Sequence, residues 1–216
     1  MPQQSIGRSR AYRSDLRQRQ AAETRTRILE AAGELFADVG YARTTLAKIA
    51  AAAGVSPETV QAHGPKAALM IASLEYASFG VEGDQNILDL DYGRTFLAFD
   101  DVDDAVSYLV EAQTEVHTRS IRLFRALRNA AAVDPGLERY LTDLVAGVAR
   151  QHRRIMEVAR DRGWLRDDVP FKELAEWAAV IAGIDAYDRM VHWDGFSVAA
   201  YKRYFREALH AMVLRR

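Results

Sequence analysis

The sequence predicts an all-α protein. Hydrophobic residues make up 49% and charged residues 27% of the 216 residues, which is ordinary for a globular chain. Only five prolines occur, and apolar residues recur at steps of three and four along most of the chain. This spacing is the period of helices that bury one face. The chain is long enough for one large or two smaller domains.

Four helices are predicted in the N-terminal third, at 23–39, 46–53, 57–63 and 66–79. A glycine follows each of the first two, as expected at helix C-termini. Thr44 or Thr45 can cap the second helix. Ser56 followed by Pro57 reads as the start of the third, because proline is favoured at the first helical position. The second and third helices are therefore joined by only about three residues.

The rest of the chain is predicted as an irregular connection over 82–104 and as helices at 102–116, 118–132, 137–162, 171–192 and 198–214. The aspartates at 100, 101, 103 and 104 fit acids at a helix N-terminus better than a cation site, since a calcium loop also needs a glycine and a distal glutamate. The last two helices carry extensive apolar surface. We expect them to form a four-helix contact between two subunits.

Charge is distributed unevenly. Residues 1–66 hold ten Lys and Arg against six Asp and Glu, a net charge of +4, whereas the remainder carries −5. A basic run of this kind can neutralise phosphates. The arginines from Arg8 to Arg13 fit either a DNA-contacting arm or a solvated tail. We predict a basic, flexible arm at 1–22, a DNA-binding domain at 23–66 and a second domain at 67–216.

Several classes of function lack support in the sequence. The chain has no cysteine, so disulfides, thiolate metal sites and a cysteine nucleophile are excluded. The five histidines are scattered, and neither a serine elbow nor a glycine-rich phosphate loop is present. We expect no enzyme activity, no metal and no cofactor. The longest apolar run, around 177–184, is too short to span a membrane, and no secretion signal is apparent. We therefore expect a cytoplasmic protein without a membrane partner.

The segment TTLAKIAAAAGVSPETVQAH, residues 44–63, has the composition of a helix-turn-helix. Ala50 and Ala53 are small enough for close helix crossing, and Gly54 gives the turn its backbone freedom. Val55 and Val60 would pack between the helices. The remaining side chains of the short helix would then face outward, where base edges and phosphates could be contacted.

These residues carry a family resemblance. Phe-Ala-x-x-Gly-Tyr at 36–41, the segment described above and PKAAL at 65–69 resemble the N-terminal domain of TetR-family regulators, over about residues 24–70. The resemblance implies a helical homodimer that binds DNA through its third helix and is released by a ligand. The family commonly has tyrosine where Gln61 stands and one more residue between His63 and Gly64.

The expected function is a repressor that leaves a pseudo-palindromic double-stranded operator when a small effector binds. Gln61 is the best candidate for reading a base by its chemistry. The resemblance places Thr44 or Thr45, His63 and Lys66 at phosphates. The full predicted DNA-binding set is Arg25, Arg27, Thr44, Thr45, Lys48, Ser56, Glu58, Thr59, Gln61, Ala62, His63 and Lys66.

Two further sets are predicted in the second domain. Aromatic and polar residues on largely apolar helices are candidates for an effector pocket, although core packing would explain any single one. They are Tyr108, Gln113, His117, Phe124, His152, Met156, Trp177 and Asp185. The predicted subunit interface comprises Trp177, Ile181, Ile184, Tyr201, Tyr204, Phe205 and Met212.

Two other interpretations fit the same sequence. The N-terminal helices could be scaffold for an enzyme or small-molecule-binding protein, which predicts no salt-dependent affinity for DNA. Alternatively, the protein could bind DNA without any effector, which predicts a filled core and no pocket. The modest excess of +4 argues against a protein that compacts DNA in bulk.

Overall fold

A computed structural model describes residues 5–83 and 85–215 of the protein, with side chains from residue 16 onward in those ranges. The predicted all-α class is confirmed. In the N-terminal part the helices are α1 (Ser5–Val39), α2 (Leu46–Ala53), α3 (Pro57–Ala62) and α4 (Lys66–Phe79). These are followed by a 3-10 turn (Ile87–Asp89), α5 (Asp91–Leu97), α6 (Val102–Ala131), α7 (Pro135–Asp161), α8 (Phe171–Ile181), α9 (Ile184–Tyr187), a π-helical segment (Asp188–Trp193) and α10 (Val198–Met212).

Helix α1 is longer than the sequence pattern predicts. It begins at Ser5, so residues 5–22 of the predicted flexible arm lie in the helix, while residues 1–4 lie outside the described residues. The apolar period begins only near residue 23, and the side chains of residues 16–22 are exposed. Residues 16–22 consist of Leu, Arg, Gln and Ala, all strong helix formers, which extends the helix without core contacts.

The connection after α4 contains more helix than predicted. The 3-10 turn packs against α5 so closely that a Cβ on Gly93 would lie 2.2 Å from the Ile87 carbonyl oxygen. Only glycine fits this approach. Asp101 then caps α6 by accepting from the backbone N–H groups of Asp103 and Asp104, which confirms the acids as a helix N-terminus.

The predicted helices 102–116 and 118–132 are one continuous helix, α6. The prediction of a break at His117 was wrong, since neither proline nor glycine interrupts residues 102–131. The Thr118 hydroxyl, which could have capped a new helix, instead donates to the Thr114 carbonyl one turn earlier. The helix is about 45 Å long at 1.5 Å per residue, and it contacts α1, α4, α5, α7, α9 and α10.

The predicted helix 171–192 is divided instead of continuous. Helix α8 ends at Ile181, and Gly183 adopts an extended backbone that starts α9. The new direction brings Asp185 and Asp188 onto Arg128 and Arg125 of α6. Apolar periodicity does not record such a break, because apolar residues occur on both sides of it.

Two hydrophobic clusters form the core. The first joins α1, α2, α3, α4, α6 and α7 through residues such as Ile28, Phe36, Ile49, Leu69 and Leu127. The second joins α6 and α7 to α8, α9 and α10. The predicted domain boundary after residue 66 falls at the start of α4, whose buried residues share the first cluster with α1. No helix within residues 5–83 and 85–215 is long and apolar enough to cross a membrane.

Candidate nucleic-acid interface

Local hydrogen bonds build the α2–turn–α3 unit. The Thr45 hydroxyl accepts from the Lys48 N–H at 3.2 Å and caps α2. Gly54 ends that helix with φ +66°, a conformation that favours glycine. The Ser56 hydroxyl accepts from the Thr59 N–H at 3.2 Å, and Pro57 occupies the first position of α3. The caps and the short turn agree with the sequence prediction.

Burial separates the packing side of the unit from its outer side. Ile49, Ala50, Ala53 and Val60 are buried, and Val55 is half-buried between the helices. Four predicted DNA-binding residues of α3 and its cap are exposed, namely Ser56, Glu58, Gln61 and Ala62, while Thr59 and His63 are half-buried. Val60 is the one buried residue among those of α3. The outer side of α3 is therefore accessible to a partner over nearly its whole length.

Glu58 lies in the first turn of α3. Its pKa is lowered mainly by a hydrogen bond from its own backbone N–H and also by one from Ser56. The carboxylate is therefore ionised at neutral pH. It places a negative charge on the outer face, where it would accept from a base amine and repel a phosphate.

Thr44 does not lie on the outer face. Its side chain is fully buried, and its hydroxyl donates to the Gly40 carbonyl at 2.9 Å, with the Leu35 carbonyl 3.2 Å away. The hydroxyl thus fixes the turn between α1 and α2. The prediction of a phosphate contact for Thr44 was wrong, and the exposed Thr45 is the threonine that remains available.

The predicted basic residues divide by environment. Lys48 is exposed, with its ammonium 2.9 Å from the Arg43 carbonyl. Arg27 is exposed and donates to the Ala53 carbonyl at 3.4 Å. Lys66 donates to the Tyr41 carbonyl at 3.0 Å, and its ammonium lies 4.1 Å from the centroid of the Tyr41 ring. Tyr41 had no predicted role of its own, although it belongs to the Gly-Tyr pair that follows α1.

Arg25 is half-buried, and protein acceptors hold its side chain. Its guanidinium donates to the carbonyl of His63 at 2.9 Å and forms two bonds with the Glu82 carboxylate. Glu82 was not singled out in the sequence, because it lies 57 positions away in an acidic connection. No local pattern could have indicated the pair.

Part of the predicted effector set meets in a buried polar chain. The Tyr92 hydroxyl donates to Gln113 Oε1 at 3.3 Å, Gln113 Nε2 lies 2.9 Å from His117 Nε2, and His117 Nδ1 lies 3.4 Å from the Tyr201 hydroxyl. Since the Gln113 amide oxygen accepts from Tyr92, its nitrogen donates to His117. Burial, with a smaller effect of His152, lowers the pKa of His117 to about 3. Tyr108 joins this group through its hydroxyl, which donates to the Tyr92 carbonyl.

The other predicted effector residues lie elsewhere. Phe124 is buried in the first cluster, with the Arg128 guanidinium 4.8 Å from its ring centroid. Asp185 has a 75% exposed side chain and pairs with Arg128 on the surface, so its predicted place in a pocket was wrong. Met156 and Trp177 pack in the second cluster.

His152 lies on α7 and bonds to the Val148 carbonyl of its own helix. Its pKa is lowered by burial.

Two open clefts accompany these residues. One, of about 480 Å³, is lined by Tyr92, Tyr108, Arg119 and neighbouring side chains. It adjoins the buried polar chain through Tyr92. The other, of about 510 Å³, lies between α1, α4 and α6 and has Glu30 and Arg122 on its walls.

The predicted subunit-interface residues fall into two groups. Ile181, Tyr201 and Phe205 are at most 4% exposed and belong to the second cluster of their own chain. Their assignment to an interface was wrong, because they are covered without a partner. Tyr204 and Met212 are exposed, and Trp177 and Ile184 are half-buried. Val180, which was not predicted, is 72% exposed on α8.

Comparison with known proteins agrees with this architecture. The sequence profile described as bacterial regulatory proteins, tetR family, matches residues 28–65. No curated protein matches the sequence. A candidate TetR-family transcriptional regulator from a Rhodococcus species has a similar solved structure, with a TM-score of 0.69 at 18% identity. The match covers 88% of this chain and 98% of that one.

Two further solved structures share the fold. A candidate transcriptional regulator from Saccharomonospora viridis, in complex with choline, matches with a TM-score of 0.68 and 18% identity, over 90% of this chain and all of that one. SmeT of Stenotrophomonas maltophilia, a repressor of the efflux pump SmeDEF, matches in its triclosan complex with a TM-score of 0.68 and 23% identity, over 89% and 92% of the two chains. The resemblance is confirmed: residues 28–65 match the DNA-binding domain of tetR-family regulatory proteins, and the chain shares its fold with solved structures of TetR-family regulators.

Proposed function

We propose that the protein is a transcriptional repressor that binds a pseudo-palindromic operator as a homodimer and leaves it when a small effector binds. The observation that carries this proposal is the exposed outer face of α3, capped by Ser56 and anchored on α2 by Val60. A short helix presented in this way fits the major groove. The structural relatives bound to choline and triclosan make a small-molecule effector reasonable.

The residues of the outer face would have different tasks on DNA. Gln61 is exposed on α3 and carries both a donor and an acceptor, which suits the edge of an adenine. Lys48 is exposed on α2, and Thr45 sits at the N-terminus of that helix, where a phosphate is favoured. Lys66 would reach a phosphate only by leaving the Tyr41 ring.

The first experiment compares binding to duplexes from beside the protein's own gene with binding to a shuffled duplex, by fluorescence anisotropy at several salt concentrations. We expect fragment-specific binding that salt weakens. Lys48→Ala should lower the salt slope by about 0.9, since one phosphate contact is lost. Gln61→Ala should leave the slope unchanged and reduce the preference for the specific fragment. Equal affinity for both duplexes in the wild-type protein would contradict the proposal.

The homodimer is proposed to form through α8 and α10. Val180, Tyr204 and Met212 are 72%, 38% and 40% exposed on these helices, and a second copy would cover them. Val180→Asp combined with Tyr204→Asp should give monomers in sedimentation at micromolar concentration. Val145→Asp on α7 is the matched control, because Val145 is 58% exposed outside this face. A dimer that survives the double substitution would refute this interface.

The effector is proposed to enter by the cleft beside Tyr92 and Tyr108 and to reach Gln113 and His117 behind them. These side chains offer hydrogen-bonding groups within an aromatic surround, a combination typical of ligand pockets. Effector and operator should weaken each other's binding by the same factor. A ligand found in a thermal-shift screen should therefore release the specific duplex in the anisotropy assay.

A further inference from the structure

The C-terminal end of α3 depends on contacts from outside the helix. Helix α3 has six residues, and helices of this length are unstable by themselves. Its N-terminal end is fixed by the Ser56 cap and its middle by Val60. Its C-terminal end meets α1, where Arg25 donates from Nη1 to the His63 carbonyl at 2.9 Å. The last carbonyls of a helix lack partners within it, and a cation is favoured there.

Glu82 holds Arg25 in this position. Arg25 Nε donates to Glu82 Oε1 at 3.0 Å and Nη2 donates to Oε2 at 2.6 Å. Two parallel bonds fix the plane of the guanidinium. The side chains are 24% and 37% exposed, so solvent only partly screens the pair. We call these contacts of Arg25 with Glu82 and the His63 carbonyl the Arg25 bridge.

The Arg25 bridge joins three separate parts of the chain. Arg25 belongs to α1, His63 ends α3, and Glu82 follows α4. The residues after Glu82 are bound to α7, because Gln151 accepts from the Ile87 N–H and donates to the Gln85 carbonyl, both at 2.9 Å. The segment that holds Arg25 is thus itself fastened to the C-terminal helices.

We propose that Arg25 is a positioning residue for DNA recognition and that Glu82 is required for this role. The inference rests on the proposed function, and it replaces the direct DNA contact expected for Arg25 from the sequence. Three donors of Arg25 point to protein acceptors, and the Glu82 carboxylate compensates its charge. Arg25 acts on DNA through the orientation of α3.

Glu82→Ala distinguishes a positioning role for Arg25 from a direct phosphate contact, because the two roles predict opposite changes in operator affinity. A positioning role predicts that operator affinity falls by about 10-fold, with unchanged affinity for the shuffled duplex and an unchanged salt slope. A direct phosphate contact predicts tighter binding to both duplexes, since removal of Glu82 frees a cation. Arg25→Lys keeps the charge but loses the two-pronged geometry, and it should also weaken operator binding. Asp38→Ala is the control, because it removes a carboxylate from α1 that pairs with Arg122, away from α3.

Hydrogen exchange tests the bridge without DNA. Amides of residues 60–64 should exchange faster in Glu82→Ala and in Arg25→Lys than in the wild type or Asp38→Ala. Equal exchange in all four proteins would overturn the proposal, as would unchanged or tighter operator binding by Glu82→Ala. Wild-type protein that shows no fragment-specific binding would refute the proposed function instead, and exchange at 60–64 would still decide whether the Arg25 bridge exists.

Discussion

Acid should destabilise the protein through His117. The histidine is 2% exposed and its pKa is lowered to about 3, chiefly by burial. Protonated His117 would also turn an N–H towards the Gln113 amide nitrogen, which is itself a donor. Because the folded-state pKa lies below the unfolded value of about 6.5, the stabilisation is complete above pH 6.5. It is lost progressively as the pH falls from there towards 3.

The size of the effect follows from this shift. Below pH 6.5, each further unit of decrease in pH lowers the free energy of unfolding by about 1.4 kcal/mol. From pH 7.5 to pH 5, His117 should therefore account for a loss of about 2 kcal/mol. His152 shifts in the same direction, so the wild-type loss should be larger than this. The contribution of His117 is the difference between the wild type and His117→Gln.

Urea unfolding at pH 7.5, 6 and 5 measures this difference, at one protein concentration so that any dimer contributes equally. His117→Gln should be less stable than the wild type at pH 7.5 and should lose about 2 kcal/mol less on going to pH 5. An equal loss in the wild type and His117→Gln would show that His117 does not titrate as its burial requires.

Two further predictions concern local structure. Thr44→Val should lower the free energy of unfolding by about 1–3 kcal/mol, because the carbonyls of residues 35 and 40 lose a buried donor. Thr44→Ser keeps the hydroxyl and should retain most of the wild-type stability. Equal urea midpoints for the wild type and Thr44→Val would contradict this role of the hydroxyl. Gly93→Ala should lower the free energy of unfolding by about 1–3 kcal/mol, since its Cβ would meet the Ile87 carbonyl. Gly147→Ala on α7, where the nearest atom is 3.5 Å away, should leave stability unchanged or raise it, and a Gly93→Ala protein as stable as that control would refute the close approach.

Much of the helix-turn-helix could be predicted because its determinants are local. Each cap accepts from an N–H group three residues along the chain, and Gly54 and Pro57 act through their own backbone conformation, so the local sequence records them. Thr44 shows the limit of this reasoning. It and Thr45 are equivalent as capping residues in the sequence, and only the packing of α1 against α2 decides which hydroxyl faces a buried carbonyl.

The C-terminal helices were predictable in approximate position, but neither their breaks nor their buried faces were. Tyr201 and Tyr204 are both apolar members of one helix, yet Tyr201 is fully buried and Tyr204 is 38% exposed. An apolar residue indicates burial without indicating whether its own chain or a second subunit covers it. Asp185 was misplaced for a related reason, since its partner Arg128 lies 57 residues away and periodicity carries no information about such pairs.

The shared core constrains how a ligand could act on DNA binding. Helices α1, α4 and α6 meet in one cluster through Ile28, Leu69 and Leu127, and Arg122 of α6 pairs with Asp38 of α1. Packed cores resist gradual deformation and transmit displacement. A shift of α6 would therefore carry α1 and α4 with it, and the helix-turn-helix would move as a body. In the proposed homodimer this changes the separation of the two α3 helices, which must match successive major grooves at about 34–36 Å. Release then requires no unfolding of either DNA-binding domain.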